Sequence, residues 1–150
     1  MKKLRYRYGA LTLLSICTLL SAKAIAATHV GEPTMKIRFI FNDRTVTATL
    51  EDSLSTQDFL RQLPLTVELE DYARTEKIAY LPSKLTREGA PSGTSSKAGD
   101  ISYYAPWGNL VIFYRDFGYA AGLIKLGQLD SGLERFTDNG SMKVTIERFE

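Results

Sequence analysis

The stretch GDISYYAPWGNLVIFY, residues 99–114, decides the fold of this chain. Residues 101–105 and 110–114 each predict a β-strand, and Pro106-Trp107-Gly108 supplies the turn that joins them. The second strand is almost entirely apolar, which is typical of a strand that is covered on both faces. A strand buried in this way needs further strands beside it, and the flanking sequence contains them.

Alternating and apolar runs on both sides of this stretch predict several more short strands. Residues 36–41 and 44–50 alternate around an Asn42-Asp43 turn, so they predict an antiparallel hairpin with one solvated face. Many short strands with turn signals and only two small helices indicate a barrel or a sandwich. The remaining predicted strands are residues 65–72, 78–81, 123–129 and 142–149.

Two short helices and one long loop interrupt the predicted strands. Ser55-Thr56-Gln57-Asp58 resembles a capping box for a short helix that Pro64 ends, and Ser131 with Glu134 resembles a second capping box. Residues 82–99 contain two prolines, three glycines and a Ser/Thr cluster, which predicts a mobile loop. We interpret this loop as a connector, with a lid over a site as the alternative.

The first 26 residues have the composition of an export signal that is removed. Four lysines and arginines lie among the first seven residues, residues 9–22 are uncharged, and Ala24-Ile25-Ala26 offers the small residues that cleavage requires. The apolar run is shorter than the roughly 20 residues that span a bilayer. We therefore predict a signal peptide (1–26), a leader (27–35) and one domain (36–150) that is periplasmic or secreted, without membrane attachment after cleavage.

Composition excludes several classes of function. The signal contains 5 of the 19 lysines and arginines and none of the 17 acids, which leaves the mature chain 14 basic against 17 acidic residues, a net charge of −3. This charge gives no support for binding to nucleic acid or to an anionic membrane. The only cysteine, Cys17, is lost with the signal, and the only histidine, His29, lies in the leader. We expect no disulfide, no metal or other cofactor, and no histidine-dependent catalytic triad.

The carboxyl-terminal third of the chain resembles the bacterial cyclophilin-like domain family. The resemblance rests on residues 99–114, on LGQLDSGL at residues 126–133 and on the last predicted strand, and the alternating amino-terminal hairpin fits the same scheme. It implies a mainly β fold, a closed eight-stranded β-barrel with one or two short helices, over essentially the whole mature chain. Members of this family are mostly described by their fold and remain uncharacterised.

The sequence departs from active cyclophilins in the residues that the resemblance would make catalytic. Those proteins carry an arginine within a Phe-x-Arg segment and a Gln-Phe-Phe run along the proline pocket, and neither occurs here. Ile37-Arg38-Phe39 is similar to the first motif, but it lies in the first strand. Because prolyl isomerisation needs no nucleophile, the missing cysteine and histidine do not exclude it. We expect no catalysis and keep a peptidyl-prolyl isomerase with a rearranged active site as the alternative.

Aromatic side chains are concentrated in residues 103–119, which hold seven of the fourteen aromatic residues of the mature chain. Tyrosine and tryptophan combine a flat apolar body with a polar tip, which suits a groove for a peptide or a small ligand. The other interpretation of most of these rings is that they fill a barrel. We predict a ligand-binding surface on a monomeric domain, with an envelope protein-interaction module as a further alternative. The predicted ligand-binding residues are Tyr104, Trp107, Tyr114 and Arg115.

Overall fold

Ten β-strands, one α-helix and one turn of 3-10 helix make up residues 35–149, the part of the chain that the computed structural model describes. The predicted signal peptide and all of the predicted leader except Met35 lie outside the described residues. Within that range, no helix has the length and apolar character needed to cross a bilayer. The helix α1 spans Leu54–Arg61 and the 3-10 helix spans Leu133–Phe136. The strands are β1 (Met35–Ile40), β2 (Thr45–Leu50), β3 (Leu65–Tyr72), β4 (Glu76–Tyr80), β5 (Gly93–Ser96), β6 (Asp100–Tyr104), β7 (Asn109–Phe113), β8 (Phe117–Ala121), β9 (Leu123–Leu129) and β10 (Met142–Arg148).

Eight of these strands close into an antiparallel barrel in the order β1-β10-β3-β4-β7-β6-β9-β2. The β1–β2 hairpin closes the ring on itself, with Ile37 opposite Ala48 and Phe39 opposite Val46. Each barrel strand therefore has a hydrogen-bonded neighbour on both sides, which removes the open edges that a flat sheet would present. The predicted fold, a closed eight-stranded barrel with short helices, is confirmed.

Alternate side chains of the barrel strands fill the interior and the outer face. On β7, Leu110 and Ile112 belong to the interior cluster, whereas Val111 and Phe113 belong to a second buried cluster outside the barrel. Because both faces of β7 are covered, the strand is apolar throughout, as its sequence predicts. The outer face of β7 therefore requires a cover that the barrel itself does not supply.

A second, two-stranded sheet of β5 and β8, which we call the ribbon, supplies part of that cover. Phe117 of β8 stacks on Phe113 of β7, with ring centroids 5.5 Å apart. The predicted loop over residues 82–99 is wrong where it includes β5. Gly93 pairs with Ala121 at such close range that a Cβ on Gly93 would lie 2.9 Å from the Ala121 Cα. The ribbon thus depends on a glycine that carries no strand signal of its own.

Neither helix has the N-terminal capping box that the sequence predicted. Ser53, not Ser55, is the N-cap of α1, and its hydroxyl accepts a hydrogen bond from the Thr56 backbone N–H at 3.1 Å. Ser55 lies in the first turn and donates to the Thr86 carbonyl at 2.7 Å. The N-cap of the 3-10 helix is Gly132, whose φ is 78°, so this position offers no capping side chain. Glycine adopts this left-handed conformation at low cost, so the turn forms without a capping hydroxyl.

Candidate functional site

A cleft lies on the outer face of the barrel, bounded by strands β3, β4, β7 and β6 and by the ribbon. Its volume is about 190 Å³. This is below the roughly 300–1,000 Å³ of sites for drug-sized ligands, so it suits a small head group or a single side chain. We call it the aromatic cleft, and it is lined by Tyr72, Glu76, Tyr104, Trp107, Val111, Phe113, Phe117, Ala120 and Leu123.

Three aromatic rings at the mouth of the aromatic cleft support one another. The Trp107 ring meets Tyr72 at a centroid distance of 5.4 Å and Tyr104 at 5.5 Å, with interplanar angles of 88° and 76°. Trp107 sits in the β6–β7 turn, where its backbone N–H donates to the Tyr104 carbonyl at 3.2 Å. Edge-to-face contacts of this kind fix ring orientation. Trp107 nevertheless remains 45 % exposed, so its ring is available to a ligand.

Glu76 is the one carboxylate among the residues that line the aromatic cleft. It lies on β4 directly opposite Tyr72 of β3, and its side chain is half-buried beside the rings. Burial raises the pKa of Glu76 to about 7, and no hydrogen bond or charged neighbour offsets that effect. An apolar surrounding disfavours the charged carboxylate, so the group exchanges its proton near neutral pH.

Ionisation of Glu76 is expected to destabilise the fold as the pH rises from about 4.5 to about 7. Over that interval the folded chain keeps a proton that the unfolded chain releases, so stability falls with increasing pH. The expected loss is about 1 kcal/mol, less than the full shift implies because the carboxyl is partly solvated. Urea unfolding of the wild type and of Glu76→Gln at about pH 5 and about pH 8 measures it. An identical pH dependence in the two proteins would contradict the prediction.

The four predicted ligand-binding residues do not converge on one place. Tyr104 and Trp107 both line the aromatic cleft. Tyr114 instead belongs to the interior cluster, and its hydroxyl donates to Asp71 Oδ1 at 2.7 Å. Arg115 is exposed just beyond the end of β7 and does not line the cleft. The structure therefore brings together two of these residues and places the other two elsewhere.

Three residues of the cleft lining were not predicted as site residues from the sequence: Tyr72, Glu76 and Phe117. The available signal was the alternation of residues 65–72, which places Tyr72 on the outer face at the end of a strand. Nothing in the local sequence indicated that Glu76 would lie opposite it. Strand alternation required Phe113 and Tyr114 to face opposite ways, but the uniformly apolar sequence of β7 did not show which of them faces outward.

A larger hollow, about 480 Å³ in volume, lies beside the start of α1. Its lining, as far as residues 35–149 form it, includes three acids, Glu51, Asp52 and Glu88, and no aromatic ring. Its single cation, Lys125, is already placed 2.9 Å from Asp100 and 3.7 Å from Glu51. No group of side chains within the described residues has the composition to hold a metal ion. The aromatic cleft therefore has the better combination of shape and chemistry for a ligand.

The family of this chain is shown by its similarity to known proteins. A sequence model of the cyclophilin-like family matches residues 39–147. The chain belongs to the cyclophilin-like family. The chain is also similar in structure to a hypothetical protein from Archaeoglobus fulgidus solved in solution, with a TM-score of 0.57, 14% identity and coverage of 77% of this chain and 95% of that one. At this identity the likeness concerns the fold alone. No match was found among the curated proteins.

Family membership confirms the resemblance predicted from residues 99–133. It does not bring a function with it, because one barrel can support unrelated activities.

Proposed function

We propose that this cyclophilin-like chain is exported and that its domain binds a small ligand, or one side chain of a peptide, in the aromatic cleft without catalysing a reaction. The observation that carries the proposal is the exposure of three large rings at one concave site: Tyr72 is 43 %, Trp107 45 % and Phe117 42 % exposed. Exposed apolar surface gathered in one place is typical of an interaction site. Export rests on the composition of residues 1–26, and recovery of a chain that begins at Ala27 in the periplasm or medium would test it.

The proposal of binding without catalysis is supported by what the aromatic cleft contains. Among the described residues that line it, Glu76 is the only ionisable residue apart from two tyrosines, and none is an arginine, glutamine, serine or histidine. Arg38 lies on β1, across the barrel from β4 and β7, where it is ion-paired with Glu147. Prolyl isomerisation requires a hydrogen-bond donor aimed at the amide nitrogen beside the proline pocket. The described lining of the cleft contains no cationic side chain that could be this donor.

Ligand binding is expected to change the fluorescence of Trp107, the only tryptophan in the sequence. A library of short peptides and small amphipathic molecules, titrated into the chain, supplies the ligands. For any ligand found, Tyr104→Ala is expected to weaken binding by about tenfold, because it removes one of the three rings that contact each other at the mouth of the cleft. Tyr80→Ala is the matched control: Tyr80 is 64 % exposed on β4 but does not line the cleft.

Three outcomes would contradict the proposed function. The first is a library in which nothing changes the Trp107 emission, and the second is equal weakening by Tyr80→Ala and Tyr104→Ala. The third is acceleration of proline isomerisation in a protease-coupled peptide assay that Arg115→Ala or Arg38→Ala abolishes. That last result would establish the isomerase alternative.

A further inference from the structure

The carboxylate of Glu76 differs from the other partly buried acids of the domain in having no cation beside it. Elsewhere in residues 35–149 the structure pairs such acids internally. Glu76 has neither an ion pair nor a hydrogen bond to its side chain among the described residues, and the residues that line the aromatic cleft include no lysine, arginine or histidine. The internally paired acids are Asp58 with Arg61, Asp71 with Lys77 at 3.1 Å, Asp100 with Lys125 at 2.9 Å and Glu147 with Arg38.

The aromatic rings beside Glu76 add a second feature that favours a positive charge. Ring faces attract cations, and tryptophan does so most strongly. Trp107 stands nearly perpendicular to both Tyr72 and Tyr104, so the three rings form walls of different orientation rather than one flat stack. A cation held among them meets ring surface on several sides and a carboxylate on another.

We infer that the aromatic cleft accommodates an organic ammonium group, held by the rings of Tyr72, Tyr104 and Trp107 and neutralised by the carboxylate of Glu76. This inference rests on the proposed function, because it names the class of ligand for the same cleft. The volume of about 190 Å³ limits the bound part to a compact head group, such as a trimethylammonium or the tip of a methylated lysine. The apolar residues Val111, Phe113 and Leu123 contact the methyl groups of such a head better than they would a hydrated metal ion.

The charge of Glu76 makes this binding dependent on pH. The pKa of Glu76, raised by burial to about 7, means that a cation binds to the ionised form and that affinity increases as the pH rises through about 7. Glu70 and Tyr72 from β3 lie on the same outer face of the sheet as Glu76, and Tyr104 faces it from β6. The lining residues from β7, the ribbon and β9 contain no titratable group.

Choline and its uncharged isostere 3,3-dimethylbutan-1-ol provide the test. Both are titrated into the full chain at constant ionic strength, and binding is followed by Trp107 fluorescence and by side-chain NMR shifts. Choline is expected to bind about tenfold more tightly than the alcohol, because only choline gains from the desolvated cation–π contact and from the counter-ion Glu76. Glu76→Gln is expected to lower this ratio to about threefold, the part that the rings contribute, whereas Glu70→Gln, on the same face outside the cleft lining, leaves it at about tenfold.

The outcomes separate this inference from the proposed function. Equal binding of choline and the alcohol, or a choline preference that is undiminished in Glu76→Gln, overturns the ammonium inference while the cleft remains a ligand site. Absence of choline binding overturns the inference as well, and only the further failure of the whole ligand library overturns the proposed function. A choline affinity in the wild type that does not rise through about pH 7 also counts against the role of Glu76.

Discussion

Replacing Lys77 by methionine is expected to lower the free energy of unfolding by about 3 kcal/mol. The Lys77 side chain is fully buried, with its Nζ 3.1 Å from Asp71 Oδ1. The same ammonium donates to the Gly140 carbonyl at 2.8 Å and to the Asp138 carbonyl, which lie in the turn before β10. Methionine fills a similar volume, but it leaves one carboxylate without its cation and two carbonyl groups without a donor.

The network around Asp71 sets the size of this effect. Burial pushes the pKa of Asp71 up, but hydrogen bonds from Tyr114 and Lys77 outweigh it and hold the pKa below its usual value. The Asp71 side chain retains 18% exposure, so water partly compensates for the lost ammonium, and the expected loss stays at the lower end of the range for buried pairs.

Urea unfolding of Lys77→Met and Lys143→Met measures the effect with a matched pair of variants. Lys143 is exposed on β10, so its replacement is expected to change stability by about 0.5 kcal/mol or less. If the two variants were equally stable, the buried ammonium would have no role in holding the turn before β10 against β4.

Replacing Phe136 by alanine is expected to lower the free energy of unfolding by about 3–5 kcal/mol. Phe136 is fully buried at the end of the 3-10 helix and meets Phe39 and Phe41 edge-to-face, each at a centroid distance of 5.6 Å. A truncation there leaves a cavity against β1, because the closed barrel cannot collapse to fill it. The single helical turn has no other fully buried side chain to keep it in place.

Thermal and urea unfolding of Phe136→Ala, compared with Phe149→Ala, test this prediction. Phe149 is 39 % exposed and lies beside Arg38, whose guanidinium is 5.7 Å from the ring centroid. Its removal is expected to cost about 1 kcal/mol or less, since exposed cation–π contacts are weak. Equal losses in the two variants would mean that the interior tolerates the cavity.

The barrel was predictable wherever strands alternate or are uniformly apolar. Residues 36–50 predicted the β1–β2 hairpin because Ile37 and Phe39 on one strand, and Val46 and Ala48 on the next, occupy one face with a turn signal between them. The uniformly apolar β7 predicted a strand covered on both sides. Burial on one face leaves a period of two in the sequence, as in β1 and β2, whereas burial on both faces leaves a uniformly apolar run, as in β7.

The aromatic cleft was less predictable, because register and turn conformation assemble it. Tyr72 and Glu76 face each other across a turn in which Ala73 and Arg74 both have positive φ, at 53° and 54°. Tight hairpins are normally recognised from glycine or asparagine at such positions, and neither occurs here. The ribbon was not predicted because the sequence of β5 has no strand signal. This strand consists of glycine, threonine and serine, which together are typical of loops.

The ribbon is a separate sheet that lies outside the closed barrel. In the described residues, β5 and β8 form ladder pairs only with each other, while Phe117 and Ala120 supply one wall of the cleft. We therefore expect substitutions in β8 to change the shape of the aromatic cleft without interrupting any strand pair of the closed barrel.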